Sequence, residues 1–406
     1  MNMKSKVLVI VLVVALFLSL AGCGTSKPPT IDPENTAPVT GQSGATEPDG
    51  KITLGVTGNV TGYDPSSGEA VKNTVAIMMD QVNSSGGLLG KELAIVVEDD
   101  AGSAEDAVNA VSKMLENKDI VMIGGLYYST CALAVDSIVR DGGKPVIVSG
   151  STPAISDLNN PWMFRLRTND IIQTTCAMEY LVDLAKPETV GAIYTTDSYS
   201  YSGAQVAEEY FKEKNIPFLM DGGSVGDTDF TAQILKMRNA GCEALFLNLN
   251  SAEMVVVCRQ MHELGYKPTI MAGMCASNSD FIDLVEPEEV AGWYTFSEIS
   301  FDSDVEGCQE FLNAYEARYG TRNPESAAII VYGQLQLMLD AIKRAGSTDP
   351  EAIQQALEAT KEVQVITGLL TCDEKHDLPG CTFIKEINMD KVEEVRGLYI
   401  GYERQY

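Results

Sequence analysis

The chain has 406 residues, 45% of them hydrophobic, with 29 Lys and Arg set against 57 Asp and Glu. That length suits two domains of ordinary size, each able to bury a core. The formal charge of −28, with no basic run anywhere, excludes a nucleic-acid surface, which needs clustered Lys and Arg to neutralise phosphates.

Lys4 and Lys6 precede an apolar run, Val7 to Leu18, too short to span a bilayer. Leu20-Ala21-Gly22-Cys23 follows. A positive start, an apolar centre and small residues at the end define a secretory signal over residues 1–22. The ending resembles a bacterial lipobox, which makes Cys23 an acylated mature N-terminus and the membrane a partner through that lipid. Residues 23–50 then form a tether rich in Pro, Thr, Gly and Ser, with too little apolar surface to offset the entropy of ordering.

From Lys51 short apolar runs alternate with helical periodicity. Ile52–Val56, Leu93–Glu98, Ile120–Ile123, Val146–Val148, Val190–Tyr194 and Ala244–Leu249 read as strands buried on both faces. Val71, Val75, Met78, Met79 and Val82 share one helical face, as do Ala107, Val111 and Met114 behind a capping pattern at Ser103 and Asp106. Such alternation predicts α/β architecture in two doubly wound lobes. A hinge is expected near Arg167-Thr168-Asn169, while this pattern leaves the helical stretch of about 324–344 and the strands after Val363 open. A cleft between such lobes, beyond the strand ends, is a natural place for a small molecule.

Catalytic motifs are missing. Ser85–Lys91 has the wrong glycine spacing for a phosphate loop, and Glu92 stands where a Ser or Thr would bind magnesium. Gly222-Gly223-Ser224-Val225-Gly226 is not a dinucleotide fingerprint, and there is no H-E-x-x-H. Nine cysteines without C-x-x-C and only two histidines suggest no metal and no cofactor. Cys372 and Cys381 flank a turn-rich stretch between β-like runs, so a hairpin could pair them as a disulfide.

Several motifs, in order, resemble the branched-chain amino-acid-binding proteins of ABC transporters. They are Lys51–Gly58 with Tyr63, Asn83–Lys91, Val97–Asp100, Ile123-Gly124-Gly125 leading to Ser129, Ser149–Pro153, Asn160–Arg165, and Asp229–Thr231 before Gly241–Ala244. The likeness runs from Lys51 to about Phe383. It implies a class I periplasmic-type fold with several crossovers, the first lobe taking residues 51–168 plus about 299–366 and the second 169–298 plus about 367–406. The same resemblance implies closure on an amino acid, a non-enzymatic function, an extracytoplasmic location, an ABC permease as partner, and a monomer. By the same resemblance Ser129 and the Ser149-Gly150-Ser151 turn would hold the ligand carboxylate, with Tyr128 beside them. Tyr63 would stand at the cleft mouth, Tyr199 (or Tyr201) would cover the ligand, and Asn250 would contact it. Where such proteins place an acid for the ligand ammonium, this chain has Met274. Asp197, Asp280 or carbonyl groups would then take over, or the ligand lacks an ammonium. Tyr127 and Tyr128 are bulky for their place and suggest a smaller or flatter ligand. A sensor domain of the same fold is the alternative function.

Overall fold

The computed structural model describes residues 50–62, 64–298, 305–322, 324–388 and 391–398. The secretory signal, Cys23, most of the tether and Tyr63 lie outside the described residues.

Five strands form the first sheet: β1 (Lys51–Gly58), β2 (Glu92–Asp99), β3 (Ile120–Gly124), β4 (Val146–Val148) and β5 (Met163–Arg165). All pair in parallel, in the order β2-β1-β3-β4-β5. The second sheet repeats the theme with β6 (Val190–Thr195), β7 (Phe218–Gly223), β8 (Ala244–Asn248), β9 (Thr269–Ala272) and β10 (Trp293–Ser297). A short hairpin, β11 (Val363–Val365) and β12 (Gly368–Leu370), precedes the antiparallel edge strands β13 (Thr382–Asn388) and β14 (Lys391–Leu398). The strand order of the second sheet is β14-β13-β10-β9-β8-β6-β7.

The apolar runs became strands because parallel strands covered by helices lose water on both faces. Leu54, Val56, Met122, Ile123, Ile147, Ala192, Leu245 and Phe246 are fully buried accordingly. Ser103 caps its helix, accepting from the Asp106 N–H at 3.1 Å, but the reciprocal half of a capping box is replaced by its own hydroxyl donating to Asp106 at 2.7 Å.

Three crossovers join the lobes: residues 166–169, the stretch after β10, and the stretch between β12 and β13. The third differs from expectation. Val365, Ile366, Leu370 and Leu378 bury themselves in the first-lobe core, so the chain reaches the second sheet at Thr382 rather than near 367. On the way it runs beside β5. Arg165 N donates to His376 O at 2.9 Å, Leu378 N donates to Arg165 O at 2.8 Å, and His376 stacks on Phe164 with centroids 4.3 Å apart.

That path also corrects the expected disulfide. Cys372 N bonds to Thr360 O at 3.0 Å and Cys381 N to Thr367 O at 2.7 Å, so the two cysteines address different neighbours and both are free thiols. The hairpin is real but lies at β11 and β12, before the cysteines. Among the described residues no helix is long and apolar enough to cross a membrane.

Candidate functional site

A buried cavity of about 30 Å³ lies where the lobes meet, lined by Tyr127, Tyr128, Arg167, Tyr199, Asn250, Met274 and Cys275. Its walls come from the first lobe, the first crossover and the second lobe. A space of that size holds one or two waters. A ligand therefore enters by displacing side chains or parting the lobes.

The first-lobe wall is set by the exit from β3. Gly125 sits at φ +95°, where a Cβ would come 2.5 Å from Thr57 O, so only glycine fits this approach. Buried Gln334 brackets it, accepting from Gly125 N at 2.7 Å and donating to Gly125 O at 3.1 Å. The turn projects Tyr127 and Tyr128, packed edge to face at 5.1 Å. The Tyr128 hydroxyl donates to Asp64 at 2.9 Å, and Asp64 caps the helix Pro65–Ser84.

The expected serine donors behave otherwise. Ser149 turns its hydroxyl to Gln334 and the Leu166 carbonyl, away from the cavity. Ser129 accepts from the Thr152 N–H at 3.3 Å, tying its turn to the Ser149–Thr152 loop. A Cβ on Gly150 would meet the Ser129 Cα at 2.7 Å, which shows how tightly the two turns press together. Ser151 gives its carbonyl to Asp170 N at 2.9 Å, and its hydroxyl lies beside the buried Asp170 carboxyl. These serines fasten loops; the tyrosines they carry form the wall.

In the second lobe, Asp197 caps the helix Ser198–Lys214, accepting from Tyr199 N and Ser200 N at 3.0 Å each. It also accepts from Thr195 at 2.6 Å and Asn250 at 3.3 Å. With those four donors Asp197 is not available as the ammonium partner. Tyr199 reaches the cavity while Tyr201, 42% exposed, packs outside on Tyr194. Gly273 makes room for Tyr199: a Cβ there would lie 3.0 Å from the tyrosine hydroxyl. Asp280 is half-buried, and burial pushes its carboxyl up to about 6, with Asp64 across the cleft adding repulsion.

Arg167 and Glu298 were not singled out from sequence. Each is only 4% exposed. Arg167 Nε stands 3.2 Å from Glu298, Nη1 donates to Ser149 O at 2.9 Å, and Nη2 points at the Met274 sulfur. The guanidinium also lies over the Tyr127 ring, 5.4 Å from its centroid. Burial opposes the Arg167 charge, but Glu298 outweighs it and holds the group protonated. Burial likewise pushes the Glu298 carboxyl up, against the pull of the same guanidinium. Two adjacent arginines in Phe164-Arg165-Leu166-Arg167, alternating with apolar residues at a strand end, were the available signal.

Two doubly wound lobes, three crossovers and a closed interlobe cavity define a two-lobed binding protein. A family profile described as periplasmic binding protein matches residues 51–391, and the chain belongs to that family. It is 25% identical over 336 residues to the leucine-, isoleucine-, valine-, threonine- and alanine-binding protein of Pseudomonas aeruginosa, covering 82% of this chain and 88% of that one. A Leu/Ile/Val-binding protein homologue of Brucella melitensis is 24% identical, covering 82% and 90%. The structure of a leucine-binding protein from Thermotoga maritima superposes with a TM-score of 0.79 at 21% identity, covering 86% of this chain and 99% of that one.

Proposed function

We propose that this protein is the extracytoplasmic solute-binding subunit of an ABC importer, closing its two lobes on an amino acid and delivering it to a permease. The observation that carries the reading is the cavity itself, walled jointly by Tyr127 and Tyr128 of the first lobe and Tyr199, Asn250 and Met274 of the second. Only a closed clamp brings those side chains around one space, and binding there rewards closure. The names of the relatives, which specify leucine, isoleucine and valine, support an amino acid of that class. Cys23 anchors the protein to the membrane through lipid, the tether of residues 23–50 gives it reach, and it works as a monomer. The lobes divide near Thr168 and again within the later crossovers. Tyr128, Tyr199, Asn250 and Met274 contact the ligand, and Tyr63 closes the mouth.

A second reading concerns the ligand's charge. The lining contains one cation, Arg167, and no carboxylate. That favours a small carboxylate whose ammonium is dispensable.

A thermal-shift screen of the mature chain against amino acids, their amides and small carboxylates tests the function. A true ligand at a hundredfold excess over its Kd adds about 2.7 kcal/mol of stability. A flat response across the panel would remove the functional reading.

A further inference from the structure

Arg167 makes poor use of a strong donor set. A guanidinium carries five N–H groups in a rigid fork suited to carboxylates. Here one nitrogen donates to the Ser149 carbonyl and one faces Glu298, but Nη2 is spent on the Met274 thioether, among the weakest acceptors in proteins. Both Arg167 and Met274 line the interlobe cavity, so their contact lies at its wall. On its far side Glu298 holds the fork in place, and the Tyr127 ring supports its face at 5.4 Å. The cation is thus already oriented before any ligand arrives, which lowers the cost of binding. Methionine is a flexible, adaptable side chain that can move aside.

From this arrangement we infer that Arg167 is the receptor for the ligand's carboxylate, and that Met274 is a placeholder the carboxylate displaces. The exchange replaces an N–H to sulfur contact with a charge-assisted bond in a site with room for only one or two waters. It assigns the negative group of the ligand to the first crossover rather than to the serine turns, because Ser129, Ser149 and Ser151 do not line the cavity. The nearby acids do not counter it. Asp197 and Asp64 are committed to helix caps, and Glu298 lies behind the guanidinium. Asp170 accepts from Gln173 at 2.8 Å, and neither it nor Asp280 lines the cavity. The inference rests on the cleft being the solute site.

The test is calorimetry on the full mature chain with two matched pairs, leucine with leucinamide and 4-methylpentanoate with 4-methylpentanamide. Each acid is expected to bind at least tenfold tighter than its amide. Arg167→Lys, which keeps the charge but loses the fork, should weaken the acids at least tenfold and bring each pair to within about twofold. Met274→Leu keeps the volume, so the fold survives, and it takes the sulfur acceptor away from Nη2; the acids should tighten relative to their amides. Amides binding as well as acids to the unaltered protein would overturn the inference without harming the clamp, and so would loss of acid binding in Met274→Leu. Failure of all four probes would overturn the cleft as an amino-acid site, and this assignment with it.

Discussion

Arg165, the last residue of β5, and Arg167, on the crossover that follows, are both buried and do different work. Arg165 is saturated: Nε donates to Asp377 at 2.9 Å, Nη1 to the Thr152 carbonyl at 2.7 Å, and Nη2 to Asp377 and Ser156. Every partner is a strong acceptor, and together they lock the third crossover against β5. Arg167 is paired on one side with Glu298 and faces a thioether and a void on the other. The lesson is that burial alone does not separate a structural arginine from a functional one. What separates them is whether the remaining donors have found acceptors worth keeping.

The largest effect should come from breaking the saturated pair. Asp377→Ala leaves the Arg165 charge buried and unpaired, which costs about 3–5 kcal/mol. Urea unfolding checks it, and a loss below about 1 kcal/mol would mean that Arg165 is no lock. Next comes the joint that carries the tyrosine wall. Gly150→Ala drives a methyl against the Ser129 backbone and Ile155, an overpacking cost of about 1–3 kcal/mol. Ligand affinity should fall with it, because the displaced turn bears Tyr127 and Tyr128; unchanged melting and binding would show that the turns can part freely.

Asp280 gives a smaller, pH-dependent effect. Its folded-state carboxyl titrates near 6, above the ordinary 3.8, so the folded form binds the proton more tightly than the unfolded one. Stability therefore falls as pH rises from about 4 to 6, as the group is forced to ionise in place. A shift of two units is worth about 3 kcal/mol at most, and partial exposure reduces it to about 1–2 kcal/mol. Asp280→Asn should raise stability at pH 7 by that amount and change nothing at pH 4. A variant less stable at both values would contradict the sign. The smallest effect concerns Cys372 and Cys381, whose thiols burial pushes up to about 12. Both should resist alkylation in the folded protein and react fully once unfolded. A disulfide-linked peptide in non-reducing mass spectra would revive the hairpin pairing.

The fold was legible where physics is local. Runs such as Val146–Val148 and Ala244–Leu249 are strands because both faces are covered, and that leaves an unbroken apolar signature. Ser103 likewise announced a cap. The third crossover was not legible, because Leu370 and Leu378 choose the first-lobe core over the nearer second sheet through contacts distant in sequence. The site was half legible. Tyr128, Tyr199, Asn250 and Met274 reach the cavity as expected, since strand ends point there. Ser129, Ser149 and Ser151 stand outside the lining, and the contacts that place Ser129 and Ser149, to Thr152 and Gln334, are set by tertiary packing. Arg167 and Glu298 belong to different crossovers, so nothing in either neighbourhood announces the other.

Small-angle scattering of the mature chain, with and without a ligand identified in the thermal screen, tests the clamp most directly. Closure around the cavity of Tyr127, Arg167 and Tyr199 predicts a smaller radius of gyration at saturation than in the free protein. An identical radius at saturating ligand would contradict the account, because the lobes would then be fixed and the cavity would not be a site that closes on its solute.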